Sequence, residues 1–291
     1  MSESGPTKVV DVLAASSEYL DQKGVENPGL ASKLLLSRLL NCKHLELNFK
    51  FNEDLTDKQL EAMRRGVKRV AAGEPVQHVI GETGFRDETI QVDNRALIPR
   101  PETEILVETV LKCDPLWKRD KPFIVEVGTG SGCIAISIAR ERTHAQIVAF
   151  DISNDALELA RTNVTESGLD SRITLAQADV SDALDPECVD AVVSNPPYIA
   201  SDEIEQLDVQ VKDHEPRVAL DGGAGGIEII ENVIYDAAMV LKPGGYIFLE
   251  IGAEQGEAVS SLLQDAGFEG IAVDQDLANR DRVVSGRLPA G

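Results

Sequence analysis

The chain has 291 residues, length enough for two domains, and sets 28 Lys and Arg against 50 Asp and Glu, a formal charge of −22. A field of that sign repels polyanions and anionic lipid surfaces, so nucleic acid and membranes are disfavoured as partners unless a local basic pocket provides for them. Four cysteines (Cys42, Cys113, Cys133 and Cys188) form no C-x-x-C pair and no disulfide framework, which fits a reducing, cytoplasmic compartment; Cys42 and His44 lack a second pair of ligands, so no metal is implied.

The N-terminal stretch has neither a basic n-region nor an apolar h-region, and no apolar run is long enough to span a bilayer, so a protein that is neither exported nor inserted is expected. Up to about residue 74 the pattern is helical. Val10, Val12, Leu13 and Leu20 suit one helix, Asn27-Pro28 offers an N-cap and an N1 proline for a second, and Thr56 with Gln59 marks a capping box opening a third that runs through Arg69 to a stop at Gly73. Residues 75–100 change to short strands and a turn, read as a hairpin linker. Pro101 then suits the N1 position of an apolar helix. From about residue 122 strands and helices alternate: Phe123 to Val127, Ile147 to Asp151, Ile173 to Ala176, Val189 to Ser194 and Tyr246 to Ile251 are the apolar strands. This order predicts an α/β domain with a largely parallel sheet, ending in an antiparallel edge pair, Phe268 to Val273 and Arg282 to Ser285. The expected domains are thus 1–74, 75–100 and 101–291.

The strongest local signal is Glu126-Val127-Gly128-Thr129-Gly130-Ser131-Gly132, which follows a predicted strand and opens a helix. Glycines let the backbone turn sharply and approach a ligand, and the helix N-terminus favours a negative group. A dinucleotide fingerprint needs G-x-G-x-x-G, but the third position here is Cys133. Asp151, at the end of the next strand, is placed to accept from both hydroxyls of a ribose. Asp179 and Val180 follow the third strand where an adenine edge would lie, although an Asp capping a turn explains Asp179 equally well. At the end of the fourth strand stands Asn195-Pro196-Pro197-Tyr198. Two prolines cannot continue a ladder, so they fix a rigid turn with free carbonyls; Asn195 adds a side-chain carbonyl and Tyr198 a flat ring in a chain with only 4% aromatics. Two fixed acceptors hold a planar NH2 group and the ring covers one face, leaving the other toward a methyl donor.

The E-x-G-x-G-x-G form resembles the first motif of S-adenosylmethionine (AdoMet) methyltransferases. The chain as a whole resembles the HemK/PrmC family through Asn195 to Tyr198, Leu97-Ile98-Pro99-Arg100-Pro101-Glu102-Thr103-Glu104, Pro75-Val76-Gln77 with Gly81, Glu215-Pro216 to Ala219-Leu220 with Gly222-Gly223, and Asn279-Arg280-Asp281-Arg282-Val283-Val284. The resemblance implies a Rossmann-like methyltransferase sheet with a helical substrate-recognition domain before it. It implies methyl transfer from AdoMet, with S-adenosylhomocysteine as product, to the glutamine amide nitrogen (N5) in the Gly-Gly-Gln motif of class I peptide release factors. By position it gives Glu126 the methionine ammonium, Gly128, Thr129, Gly130, Ser131 and Gly132 the methionine and ribose, Asp151 the ribose, Asp179 and Val180 the adenine, and Asn195, Pro196, Pro197 and Tyr198 the glutamine, with Asn195 also beside the cofactor. Two departures stand out: Glu126 where Asp is common, and Asn279 where Gly is usual.

An amide nitrogen is a poor nucleophile and the motif holds no His or Lys, so positioning and electrostatics are expected to carry catalysis. His44, His78, His144 and His214 fall in unrelated contexts, and Arg100 suits either the ligand or a nearby acid. Three other readings compete. An adenine-N6 or guanine-N2 nucleic-acid methyltransferase shares the tetrapeptide but needs a basic face. A nicotinamide oxidoreductase lacks its glycine pattern, and a non-catalytic binding module needs no cofactor site. A monomer with a protein substrate is the expectation.

Overall fold

The computed structural model describes residues 7–178 and 183–291. Chain contacts divide it into two units, Met1–Glu82 with Asp208–His214, and Thr83–Leu207 with Glu215–Gly291.

The first unit is helical, built on Val9–Gln22, Pro28–Leu39, Asp57–Ala71 and Val76–Ile80. Thr56 and Gln59 form the expected reciprocal cap: Thr56 Oγ1 accepts from the Gln59 N–H and Gln59 Oε1 from the Thr56 N–H. Asn27 differs from its expected role. It adopts left-handed backbone (φ 53°) and makes no side-chain cap, so it turns the chain into Pro28 instead of capping it. Leu20, Leu35, Leu36, Met63 and Val70 fill the core. Gly66 lets two helices approach, since a Cβ there would stand 3.0 Å from Leu35 Cδ2. The segment Asp208–His214 belongs to this unit, Val209 seating over Gly73, whose φ of +99° requires glycine.

The second unit begins inside β1 (Glu82–Phe85), which forms a two-stranded hairpin with β2 (Glu88–Gln91). The hairpin is no free tether: Phe85, Ile90 and Val92 are buried in the unit's core, and buried Asn163 accepts from the Gln91 N–H while donating to the Gln91 and Ser131 carbonyls. The main sheet contains β3 (Phe123–Val127), β4 (Gln146–Phe150), β5 (Ile173–Ala176), β6 (Val189–Ser194), β7 (Leu241–Glu250), β8 (Glu269–Gln275) and β9 (Asp281–Arg287). Among the described residues its order is β5-β4-β3-β6-β7-β9-β8, parallel from β5 to β7. Every residue of β6 is buried, as expected of a parallel strand covered on both faces. Helices Thr103–Lys112 and Cys133–Glu141 cover one face; Glu228–Val240 and Gly256–Asp265 cover the other. At the opposite end from the site, Asp190 takes the Phe123 N–H, Lys242 and Arg119 together, which fixes the start of β3.

The terminal strands pair antiparallel, as the sequence led one to expect, and the structure supplies their order. β9 lies inside, bonded to both β7 and β8, and β8 alone forms the edge. The reason is burial: Val283 and Val284 of β9 are fully covered, whereas β8 carries exposed Glu269 and Asp274, charges suited to an unpaired edge.

Candidate active site

Strand register builds the site. Val127 lies opposite both Phe150 and Ser194, and Ser194 lies opposite Leu249. The residues that follow, Gly128, Asp151, Asn195 and Glu250, therefore stand in a row along the carboxyl ends of four strands. From β3 the sheet grows one way to β4 and β5 and the other way to β6 and β7, and such a reversal opens a ligand crevice. The Ser194 hydroxyl donates to the Val127 carbonyl at 2.7 Å and locks the two central strand ends together.

Gly128, Gly130 and Gly132 have φ of 73°, 55° and 83°, which bends the chain from β3 into its helix. A Cβ on Gly132 would also press to 3.4 Å from Ala160. The Gly128 and Thr129 N–H groups both donate to the Phe150 carbonyl, and Gly130 N–H to Asp151 Oδ2 at 2.8 Å. Thr129 and Ser131 are buried, and the Thr129 hydroxyl turns back to donate to Glu126 Oε2. Glu126 itself is 1% exposed; its Oε2 also accepts from the Ala135 N–H, while Oε1 has no hydrogen-bond partner among the described residues. Burial pushes its carboxyl up to about 8 against the pull of those two donors. Asp151 accepts from the Gly130 and Ser153 N–H groups, so it first organises the glycine loop; each oxygen keeps a further lone pair. Beside it Ile152 is 65% exposed, a large apolar surface at the rim. Asp179 and Val180 lie outside the described residues.

Past β6, Pro196 is buried while Asn195, Pro197 and Tyr198 are partly open. The Asn195 Nδ2 donates to Thr103 Oγ1 at 3.2 Å, and Oδ1 accepts no hydrogen bond among the described residues. The Tyr198 hydroxyl donates to Glu250 Oε1 at 3.4 Å, and burial pushes that phenol up to about 12, the Glu250 charge adding to the rise. The turn is held from behind. Gln255 Nε2 donates to the Tyr198 and Gly226 carbonyls, and a Cβ on Gly222 would stand 2.7 Å from the Pro197 carbonyl oxygen. Gly222 and Gly226 thus explain the glycines of that segment as room for the Pro-Pro backbone. Arg100 pairs through Nη2 with both oxygens of buried Glu215, joining the Leu97 to Glu104 and Glu215 to Leu220 segments. Of its two expected roles, the structure gives Arg100 the acid. Asn279 has φ 58° in the β8–β9 turn, a backbone that Asn tolerates and Gly prefers, which accounts for that departure.

Sequence reasoning missed Thr103, Glu250 and Ile152. Glu250 did leave a signal, a lone acid in the apolar run Phe248-Leu249-Glu250-Ile251; Thr103 stands in the Leu97 to Glu104 segment of the family resemblance, but only the tertiary fold brings it to Asn195.

Residues 11–81 match the PrmC N-terminal domain and residues 101–212 the methyltransferase small domain. Release factor glutamine methyltransferase of Geobacter sulfurreducens is 36% identical over 95% of both chains. The chain belongs to the release factor glutamine methyltransferase family. Members from Rhodopirellula baltica, 35% identical over 98% of this chain and 97% of theirs, and from Caulobacter vibrioides, 35% identical over 96% of each, agree over the same span. The matched spans run through both units and include the residues of the glycine loop and of the Asn-Pro-Pro-Tyr turn.

Proposed function

We propose that the protein transfers the methyl group of AdoMet to the N5 side-chain nitrogen of the glutamine in the Gly-Gly-Gln motif of class I peptide release factors, and so supports translation termination. The observation that carries this reading is the turn Asn195 to Tyr198, whose Asn195 Oδ1 and rigid Pro196 carbonyl offer two fixed acceptors at the sheet's switch point.

The residues fit AdoMet. Glu126 Oε1, without a hydrogen-bond partner among the described residues and held in a buried carboxyl whose ionisation burial opposes, suits an ammonium group that would offset that cost. Gly128, Gly130 and Gly132 put no side chains where the amino-acid portion would lie, Asp151 keeps lone pairs for ribose hydroxyls, and Ile152 offers an apolar wall to a flat ring. Asp179 and Val180 complete the proposed set. AdoMet supplies an electrophilic sulfonium methyl group. The chain's own part is orientation: Asn195 and Pro196 accept from the glutamine NH2 and align its nitrogen, Pro197 keeps the turn rigid and the Tyr198 ring bounds the acceptor. As positive charge develops on the nitrogen, the same fixed acceptors stabilise it without reorganising. Proton loss follows transfer, and S-adenosylhomocysteine leaves as product.

The helical unit is read as the part that recognises the release factor, and the protein as a cytoplasmic monomer. No described helix is long and apolar enough to cross a membrane. The charge of −22 disfavours a nucleic-acid acceptor. Labelled AdoMet offered with release factor, with release factor lacking the motif glutamine, and with tRNA or DNA tests the assignment. Label should enter only the intact release factor; label in nucleic acid, or retained after loss of the glutamine, overturns the substrate.

A further inference from the structure

The two prolines fix φ at Pro196 and Pro197, but nothing in that pair fixes Tyr198, whose carbonyl and ring follow its own backbone torsions. The structure restrains this end of the turn from other segments. The Ile199 N–H donates to the Leu220 carbonyl at 3.1 Å, the Gly222 N–H donates to the Ile199 carbonyl at 2.8 Å, and Gln255 Nε2 donates to the Tyr198 carbonyl at 3.0 Å. The first two secure the chain beyond the turn; Gln255 secures Tyr198 itself.

Gln255 is oriented for this by its own contacts. It immediately precedes helix Gly256–Asp265, and its Oε1 accepts from the Gly252 N–H at 2.8 Å. With that oxygen committed, the NH2 end meets the turn, where its two protons go to the Tyr198 carbonyl and, at 3.1 Å, to the Gly226 carbonyl. One amide therefore joins the loop after β7, the Asn-Pro-Pro-Tyr turn and the glycine segment. Turned over, it would lose both donor bonds and set its oxygen against two carbonyls, so a single orientation is selected. Gly226 completes the fit: its φ is +70°, and a Cβ there would collide with the Tyr198 carbonyl and stand 3.0 Å from Gln255 Nε2.

We propose that Gln255 is a positioning residue for methyl transfer: by holding the Tyr198 carbonyl it fixes the ring that bounds the acceptor amide. This rests on the amide-acceptor reading above and adds to it a residue 57 positions along the chain that acts through Tyr198. The prolines make the first part of the turn rigid by covalent restriction, and Gln255 makes the last part rigid by hydrogen bonding.

Steady-state kinetics on Gln255→Glu and Gln255→Met test the clamp. Glu keeps the shape and the acceptor for Gly252 but sets an oxygen against two carbonyls, and Met keeps the volume without either donor. Both should lower kcat about ten-fold or more with the affinity for AdoMet within about two-fold, Glu being the worse. A side chain that only filled space would give the reverse order, since Glu is the closer isostere; if Gln255→Glu does not fold, Gln255→Met decides. In a Tyr198→Ala background Gln255→Met should change kcat by less than about two-fold, because the ring that it positions is gone. A readout free of turnover comes from protein labelled on its four tyrosines. The Tyr198 ring resonances, assigned by their loss in Tyr198→Phe, should shift in the Gln255 variants while those of Tyr246 stay. Near-wild-type kcat in the Gln255 variants, losses that multiply in the double variant, or unmoved Tyr198 resonances overturn the inference. If the wild-type protein labels no release factor, the substrate reading falls, and the Tyr198 resonances still decide whether Gln255 positions the ring.

Discussion

The two units divide the charge unequally. The helical unit holds 12 Lys and Arg against 14 Asp and Glu, the α/β unit 16 against 36, so nearly all of the −22 belongs to the part with the Asn-Pro-Pro-Tyr turn. Burial divides the same way: among the described residues the buried acids Glu126, Asp190, Glu215 and Glu250 are all in the α/β unit, while the buried polar residues of the helical unit are serines. One unit is a conventional apolar core with a near-neutral surface. The other keeps ionisable groups in its interior and an acidic field outside. The contrast teaches that the acidic charge opposing nucleic acid belongs to the α/β unit, and that the helical unit is the less acidic of the two.

The comparison breaks first at the Asn-Pro-Pro-Tyr turn. Asn195→Ala should lower kcat by about 10² to 10³ while AdoMet affinity changes by less than about three-fold; the size is that of losing one fixed stabiliser of developing charge. Near-normal turnover would move the chemistry elsewhere.

The buried acids give a smaller effect with a definite sign. Glu126 and Glu250 titrate from an ordinary 4.5 up to about 8 and about 7, so the stability they contribute is present below about pH 4.5 and is lost as pH rises toward 8. The melting temperature of the ligand-free protein should fall by about 5 °C from about pH 5 to pH 8, and AdoMet should restore more of it at the upper end. Glu126→Gln should flatten that slope. Asp190 behaves oppositely: burial opposes its charge, but the Phe123 N–H, Lys242 and Arg119 hold it below the usual range, so its contribution is lost only as acid is added. A denaturation series over pH separates the two windows.

On the helical unit, Arg64 and Lys68 border an apolar groove lined by Val12, Tyr19, Met63 and Val67. Arg64→Glu with Lys68→Glu should raise the KM for release factor several-fold and leave kcat within about two-fold, the mark of lost docking rather than lost chemistry. A fall in kcat alone would remove the division of labour between units. The smallest effect belongs to Arg65→Ala, whose partner Glu61 is an exposed neighbour one turn away; unfolding free energy should change by less than about 0.5 kcal/mol.

Much of the site was legible beforehand because its pieces are local. Glycines with positive φ, an acid ending the next strand and a Pro-Pro turn ending a buried strand all declare themselves within a few residues. Boundaries near special backbone were less legible. Helix Thr103–Lys112 begins two residues after Pro101, because the Arg100 and Pro101 carbonyls first close a tight turn onto the Thr103 and Glu104 N–H groups. Asn27 looked like a cap since its residue type permits one, and only its left-handed φ excludes it.

By itself the sequence determined the kind of element at each stretch, the parallel character of the sheet and the rigid backbone of the Asn-Pro-Pro-Tyr turn, because hydrophobic period and backbone restriction act over a few neighbouring residues. The tertiary structure alone decided that β9 lies inside the sheet, that Arg100 spends its charge on Glu215, and that Thr103 and Glu250 meet Asn195 and Tyr198. Those contacts span from 52 to 115 positions of chain, and they form because strand register and helix packing align distant ends, an arrangement that no local pattern encodes.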